Sequence, residues 1–183
     1  TVGKDAFWFC ASLTSVTLGS NLRTIGEMAF YDCENLIEVY NRTPLPIRAG
    51  SQEYGGVAQY AQNVYKPTSG ESKLTETEDG FVFYEDGETV YLMYYTGSDA
   101  ELTLPADFNG KNYAIFDYAF SRCGFITSVV ISEGVTSIGE YAFSECGSLK
   151  SITISSSVTT IGSRAFSQCG ELQKIEFFGT ESQ

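Results

Sequence analysis

Cys146-Gly147-Ser148-Leu149-Lys150-Ser151-Ile152-Thr153-Ile154 opens a unit that runs on through Val158, Ile161-Gly162 and Ala165-Phe166 and restarts at Cys169, 23 residues later. Its clearest mark, Ala-Phe-x-x-Cys, occurs five times. The copies are Ala6-Phe7 to Cys10, Ala29-Phe30 to Cys33, Ala119-Phe120 to Cys123, Ala142-Phe143 to Cys146 and Ala165-Phe166 to Cys169. Successive cysteines lie 23, 90, 23 and 23 residues apart. An apolar residue follows each at the third position: Leu13, Leu36, Ile126, Leu149 and Leu172. A fixed period matched at this many positions marks stacked repeats, because a single amphipathic helix does not restart every 23 residues.

The unit's physics follows from its pattern. Leu-x-x-Ile-x-Ile ends in strict alternation, which predicts a short strand with one buried face. The strands are expected near 13–18, 36–40, 126–131, 149–154 and 172–177. Gly26, Gly139 and Gly162 allow a bend after the second apolar cluster. Ala-Phe-x-x-Cys then returns along the other side as a short helical turn, with Phe filling the coil. One coil cannot bury its apolar face alone, so neighbours pair strand on strand into a parallel sheet.

The period breaks after Asn41. Pro44 and Pro46 cannot sit in a central strand. Asn63-Val64-Tyr65-Lys66-Pro67 reads as one more isolated strand. Phe81-Val82-Phe83-Tyr84 and Val90-Tyr91-Leu92-Met93-Tyr94-Tyr95 flank an Asp86-Gly87 turn and predict a β-hairpin. One hairpin face should cover the start of the second repeat block. The other either packs on the linker or serves as an aromatic contact surface. The expected layout is a repeat block over 1–42, an irregular linker or atypical repeat over 43–80, and a hairpin followed by repeats over 81–183. Both ends fall inside the repeat pattern, so the chain is expected to be a piece of a longer protein.

Composition narrows the chemistry. The 183 residues carry 23 acidic and 11 basic side chains, a net charge of −12. Such a chain does not neutralise phosphates, which argues against nucleic acid. No apolar run is long enough to span a membrane. There is no histidine, so the commonest general base and metal ligand are missing. Strands stacked at about 4.8 Å hold equivalent Cβ atoms too far apart for disulfides, which want ~3.5–4.5 Å. Cys123, Cys146 and Cys169 are therefore expected as a ladder of reduced, buried thiols, and all five cysteines as reduced and largely buried. The acids of segment 66–101, nine against two bases, match no calcium loop. No pair of carboxylates is placed for hydrolysis. The expectation is a non-enzyme with no catalytic residue, no metal and no cofactor.

The stretch from Leu149 through Cys169 and its sisters resembles the BspA-like leucine-rich repeat family of bacterial surface proteins, over roughly 1–42 and 102–183. The resemblance implies a leucine-rich repeat solenoid, mostly β with short helical turns, in two parallel-strand blocks. It also implies an extracellular or cell-surface location and attachment to host proteins or other cells. The usual proline after the repeat strand is present only at Pro105; Gly19, Ser132 and Ser155 replace it elsewhere. The expected partner is an extracellular protein, bound through the outward side chains of the strands. Those side chains are Tyr40, Ser128, Val130, Ser151, Thr153, Lys174, Glu176 and Phe178. A glycan-binding module using exposed tyrosines is the alternative, and a non-catalytic accessory domain of a larger surface enzyme is the third.

Overall fold

The computed structural model describes residues 1–61, 63–65 and 74–178. Lys66 and Pro67, assigned above to a strand, lie outside them. The chain divides into two compact units, Thr1–Ser72 and Lys73–Gln183, each with its own hydrophobic core.

The first unit holds a parallel sheet of β1 (Ser15–Leu18), β2 (Glu38–Asn41) and β3 (Asn63–Tyr65). The register pairs Val16 with Val39 and Val39 with Val64, a translation of one repeat per strand. A second parallel contact, Val2 with Ile25, joins the next stretch of the same coils. Phe7 stacks on Phe30 with ring centroids 4.9 Å apart.

The second unit begins with β4 (Leu74–Glu76), β5 (Phe81–Asp86) and β6 (Thr89–Tyr95), which pair antiparallel. Repeats follow: β7 (Glu101–Thr103), β8 (Tyr113–Ile115), β9 (Ser128–Ile131), β10 (Val135–Ile138), β11 (Ser151–Ile154), β12 (Thr160–Ile161) and β13 (Lys174–Phe177). They form two sheets. One is four-stranded and parallel, in the order β13-β11-β9-β7. The other runs β12-β10-β8-β6-β5-β4. The apolar Val-x-x-Ile cluster, which the pattern left without a conformation, thus builds a sheet of its own. Three successive coils, β7–β8, β9–β10 and β11–β12, contribute one strand to each sheet, and the apolar sides of both bury Val129, Ile131, Val135, Ile138, Ile152 and Ile154.

The hairpin supplies the first strand of the second sheet. β6 pairs parallel with β8, Leu92 beside Ile115, and Phe81, Phe83, Val90 and Leu92 join the core. Simple alternation would set Phe81, Phe83, Tyr91, Met93 and Tyr95 on one face. The structure differs for two reasons. Cross-strand pairing puts Leu92 opposite Phe83 and Val90 opposite Glu85, so Leu92 and Val90 share the Phe83 face. A bulge then inserts Met93, which shifts the phase and brings Tyr95 opposite Phe81. The far face is covered too: Val82, Tyr84 and Met93 are buried. It does not offer an open aromatic surface.

The return stretch is a run of turns rather than a helix; among the described residues the helical segment is the 3₁₀ turn Tyr54–Gly56. In each Ala-Phe-x-x-Cys copy the residue before Ala and the residue before Cys have positive φ, as at Tyr118 (61°) and Arg122 (61°) or Tyr141 (54°) and Glu145 (60°). Left-handed backbone costs a non-glycine residue about 1–2 kcal/mol. It is held because it aims alternate N–H groups at the next coil. Tyr118, Phe120 and Arg122 donate to the carbonyls of Glu140, Ala142 and Ser144 at 3.0, 2.7 and 2.8 Å. Tyr141, Phe143 and Glu145 repeat the pattern on Ser163, Ala165 and Ser167.

At Gly139 and Gly162, where strand gives way to turn, an added Cβ would lie 2.5–2.6 Å from backbone of the preceding coil at Asp117 or Glu140. They are glycine because the coils touch there. The missing prolines also have a substitute: Ser132 Oγ donates to the Leu104 carbonyl and Ser155 Oγ to the Ser132 carbonyl.

Candidate functional site

Alternation along each strand of the four-stranded sheet puts every second side chain outside. Ile152 and Ile154 point in and are buried, while Ser151 and Thr153 are half-exposed. In-register pairing then lines the outward positions into two straight rows. Glu101, Ser128, Ser151 and Lys174 form one; Thr103, Val130, Thr153 and Glu176 form the other. Lys174 and Glu176 pair with each other at 2.8 Å, so this edge of the face is neutral in sum. Val130 is 40% exposed, an apolar side chain among hydroxyls. Phe178 lies just beyond β13, its N–H bonded to the Ile154 carbonyl at 2.9 Å, and its ring is exposed.

Seven of the eight strand-face residues expected from sequence therefore share one surface. Tyr40 belongs to another sheet. It sits on β2 in the first unit, beside Thr17 and Tyr65. Its ring stacks on Tyr65 at 5.0 Å and its hydroxyl donates to Glu38 at 3.0 Å. Pattern alone could not separate it, because every repeat strand carries the same alternation. Glu101 and Thr103 belong to the face but were missed. The signal for them was present: Leu102-x-Leu104 alternates like its sisters, in a coil whose loop is longer.

The thiols are free and regularly placed. Cys33, Cys146 and Cys169 each donate through Sγ to the Phe carbonyl of the preceding coil, at 3.1, 3.1 and 3.0 Å. Cys33 and Cys146 are buried, and the other three partly so. Burial pushes the Cys123 thiol up to about 11 and Cys146 to about 12, and it raises Cys33 and Cys169 as well. A thiol held protonated is a poor nucleophile. Among the described residues no group of three His, Cys, Asp or Glu side chains could hold a metal ion, and no helix is long and apolar enough to cross a membrane.

This geometry can be set beside known proteins. A family model described as BspA type leucine rich repeat region matches residues 1–45 and 113–182, in six copies. A leucine-rich repeat protein from Eubacterium ventriosum ATCC 27560 has a similar structure: 20% identity, TM-score 0.55, covering 98% of this chain and 58% of that one. A leucine rich cell surface protein from Faecalibacterium prausnitzii A2-165 is 20% identical with a TM-score of 0.42, covering 98% and 64%. The pneumococcal vaccine antigen PcpA is 18% identical with a TM-score of 0.47, covering 93% and 52%. The chain thus spans less than two thirds of each of these three structures. No curated protein matches the sequence. With the family model matching more than half of the residues, and coils stacked in the register its period demands, the chain belongs to the BspA type leucine-rich repeat family.

Proposed function

We propose that this chain is a cell-surface binding scaffold that contacts another protein through the outer face of the four-stranded sheet, and that it has no catalytic role. The observation that carries the reading is the pair of straight rows on β7, β9, β11 and β13. Eight outward side chains held on rigid strands form a flat surface, and solenoids use such extended faces for binding. Adhesion to host or other cells is the specific use proposed, by analogy with the surface-protein family. The glycan alternative has less support. Two tyrosine pairs, Tyr40 with Tyr65 and Tyr118 with Tyr141, spend one face of each ring on each other, at 5.0 and 5.1 Å.

The test is an array of host proteins and glycans probed with the isolated chain. A protein hit is expected. Thr153→Arg, a bulky charge in the middle of the face, should weaken that hit by more than about tenfold with an unchanged melting temperature, as for a residue inside an interface. Binding to oligosaccharides alone would overturn the reading.

A further inference from the structure

Phe125 is out of place in its repeat. The corresponding positions hold Ser12, Asn35, Ser148 and Glu171, two residues after each cysteine. The coil therefore accepts a polar side chain there, and Phe125 is 43% exposed. Nothing in the repeat's packing calls for a large apolar group at this point. Its ring stands 6.4 Å from that of Tyr95, at an interplanar angle of 33°. Tyr95 is the outermost ring of the core here, packed on Phe81 and Phe120.

The Tyr95 hydroxyl is set among carboxylates. It donates to Asp99 Oδ2 at 3.3 Å and accepts from the Asp99 backbone N–H at 3.3 Å. Gly97 lies directly beneath this phenol, where a Cβ would sit 2.2 Å from the hydroxyl oxygen. Only glycine lets the loop close on Tyr95 in this way. Next to it Thr96 donates to Glu76 at 2.6 Å, and Glu101 begins β7, the first strand of the proposed binding face. From residue 74 to 101 there are eight acidic side chains and no lysine or arginine. One of these acids, Glu85, forms an ion pair with Lys111.

We propose that Phe125 and Tyr95 are a two-walled aromatic seat for a lysine or arginine side chain of a protein partner, with Asp99 as its counter-ion. The ring faces attract a cation within about 6 Å of their centroids. The surrounding negative field raises its local concentration and speeds encounter. Charge complementarity selects the occupant, since an acidic or neutral partner gains nothing from the carboxylates. The proposal rests on the protein-binding reading and adds the chemistry of the partner.

The experiment uses the whole chain and a ten-residue peptide of alternating lysine and glycine, followed by amide shifts in NMR and by calorimetry. Saturable shifts are expected at Gly97, Asp99 and Phe125, weakening as salt rises. Phe125→Ser installs the side chain that Ser12 and Ser148 already carry, so the coil should fold unchanged. It should weaken binding about three- to tenfold, the effect of losing one cation–π wall. Asp99→Asn should weaken it comparably. Glu88→Gln, the same charge change on an exposed acid at the far end of the hairpin, should alter affinity less than about twofold, as for a distant screened charge. The peptide with acetylated lysines should not bind. Three results would overturn the proposal: no saturable binding by the unaltered chain, undiminished binding by Phe125→Ser, or an equal loss with Glu88→Gln and Asp99→Asn. Each leaves the sheet-face reading standing, because Thr153→Arg and the protein array test that face separately.

Discussion

The Phe143 ring lies between Phe120 at 4.7 Å and Phe166 at 5.4 Å and has no exposed surface. Phe7 occupies the same position in its own coil but touches one such ring, Phe30, and is 42% exposed. Phe143→Ala should cost about 3–5 kcal/mol, the range for emptying a core phenylalanine site. Phe7→Ala should cost clearly less, and denaturant melts of the two variants measure the difference. The thiols make a second prediction at this scale. Cys146 binds its proton more tightly in the folded chain, with its value raised to about 12 from an ordinary 9.0. The stability linked to it is fully present below pH 9 and is lost as pH climbs from there toward 12. Chemical melts should therefore weaken between pH 9 and 11. Native thiol titration near neutral pH should give little fast reaction, and denaturant should release all five groups.

Between elements, the hairpin is tied to the first coil of the second unit by a small polar network. Lys111 Nζ donates to Glu85 Oε1 at 2.8 Å and to the Gly87 carbonyl at 2.7 Å, while Asn109 Nδ2 donates to Glu85 Oε2 at 2.8 Å. Phe108, in the same loop, stacks on Phe83 at 4.3 Å. The longer loop of this coil, visible in sequence as an insertion, therefore serves to hold β5 and β6. The hydrogen bonds from Lys111 and Asn109 hold the Glu85 carboxyl below its usual range. A lowered carboxylate stabilises the fold above its unfolded value, about 4.3, and that help is lost as pH falls through its folded value. Lys111→Met should speed amide exchange at Asp86, Gly87 and Glu88 at neutral pH. The unaltered chain should show the same loosening only when acidified below about pH 4, the ordinary carboxylate range. If Lys111→Met leaves exchange at the hairpin tip unchanged, Phe108 on Phe83 is sufficient and the polar tie is idle.

Across the whole molecule, the two units bury separate clusters, one around Phe30, Leu36 and Val39 and the other around Phe120, Phe143 and Ile152. Repeat stacks transmit stability mainly to nearest neighbours. Phe143→Ala should therefore lower amide protection in β9 to β13 strongly and leave β1 and β2 nearly untouched. Native-state hydrogen exchange resolves the two regions. A uniform loss across all strands would mean that the chain unfolds as one cooperative body. The same division bears on the surface: the two rows on β7, β9, β11 and β13 belong to the second unit, and Tyr40 belongs to the first.

The period, the five repeat strands and the reduced state of the cysteines were legible in the sequence because they follow from translation. A residue recurring every 23 positions meets its own copy in the next coil, so strand, core position and thiol spacing need only local rules. What tertiary structure decided is what translation does not specify. Val135–Ile138 becomes a second sheet only when it finds β8 and β12 beside it. The left-handed turns persist because inter-coil hydrogen bonds outweigh their backbone cost. Met93 bulges in a strand that pairs with β5 on one side and β8 on the other. Phe125 meets Tyr95, thirty residues earlier, because the hairpin folds onto the first coil, a long-range contact written in no local pattern.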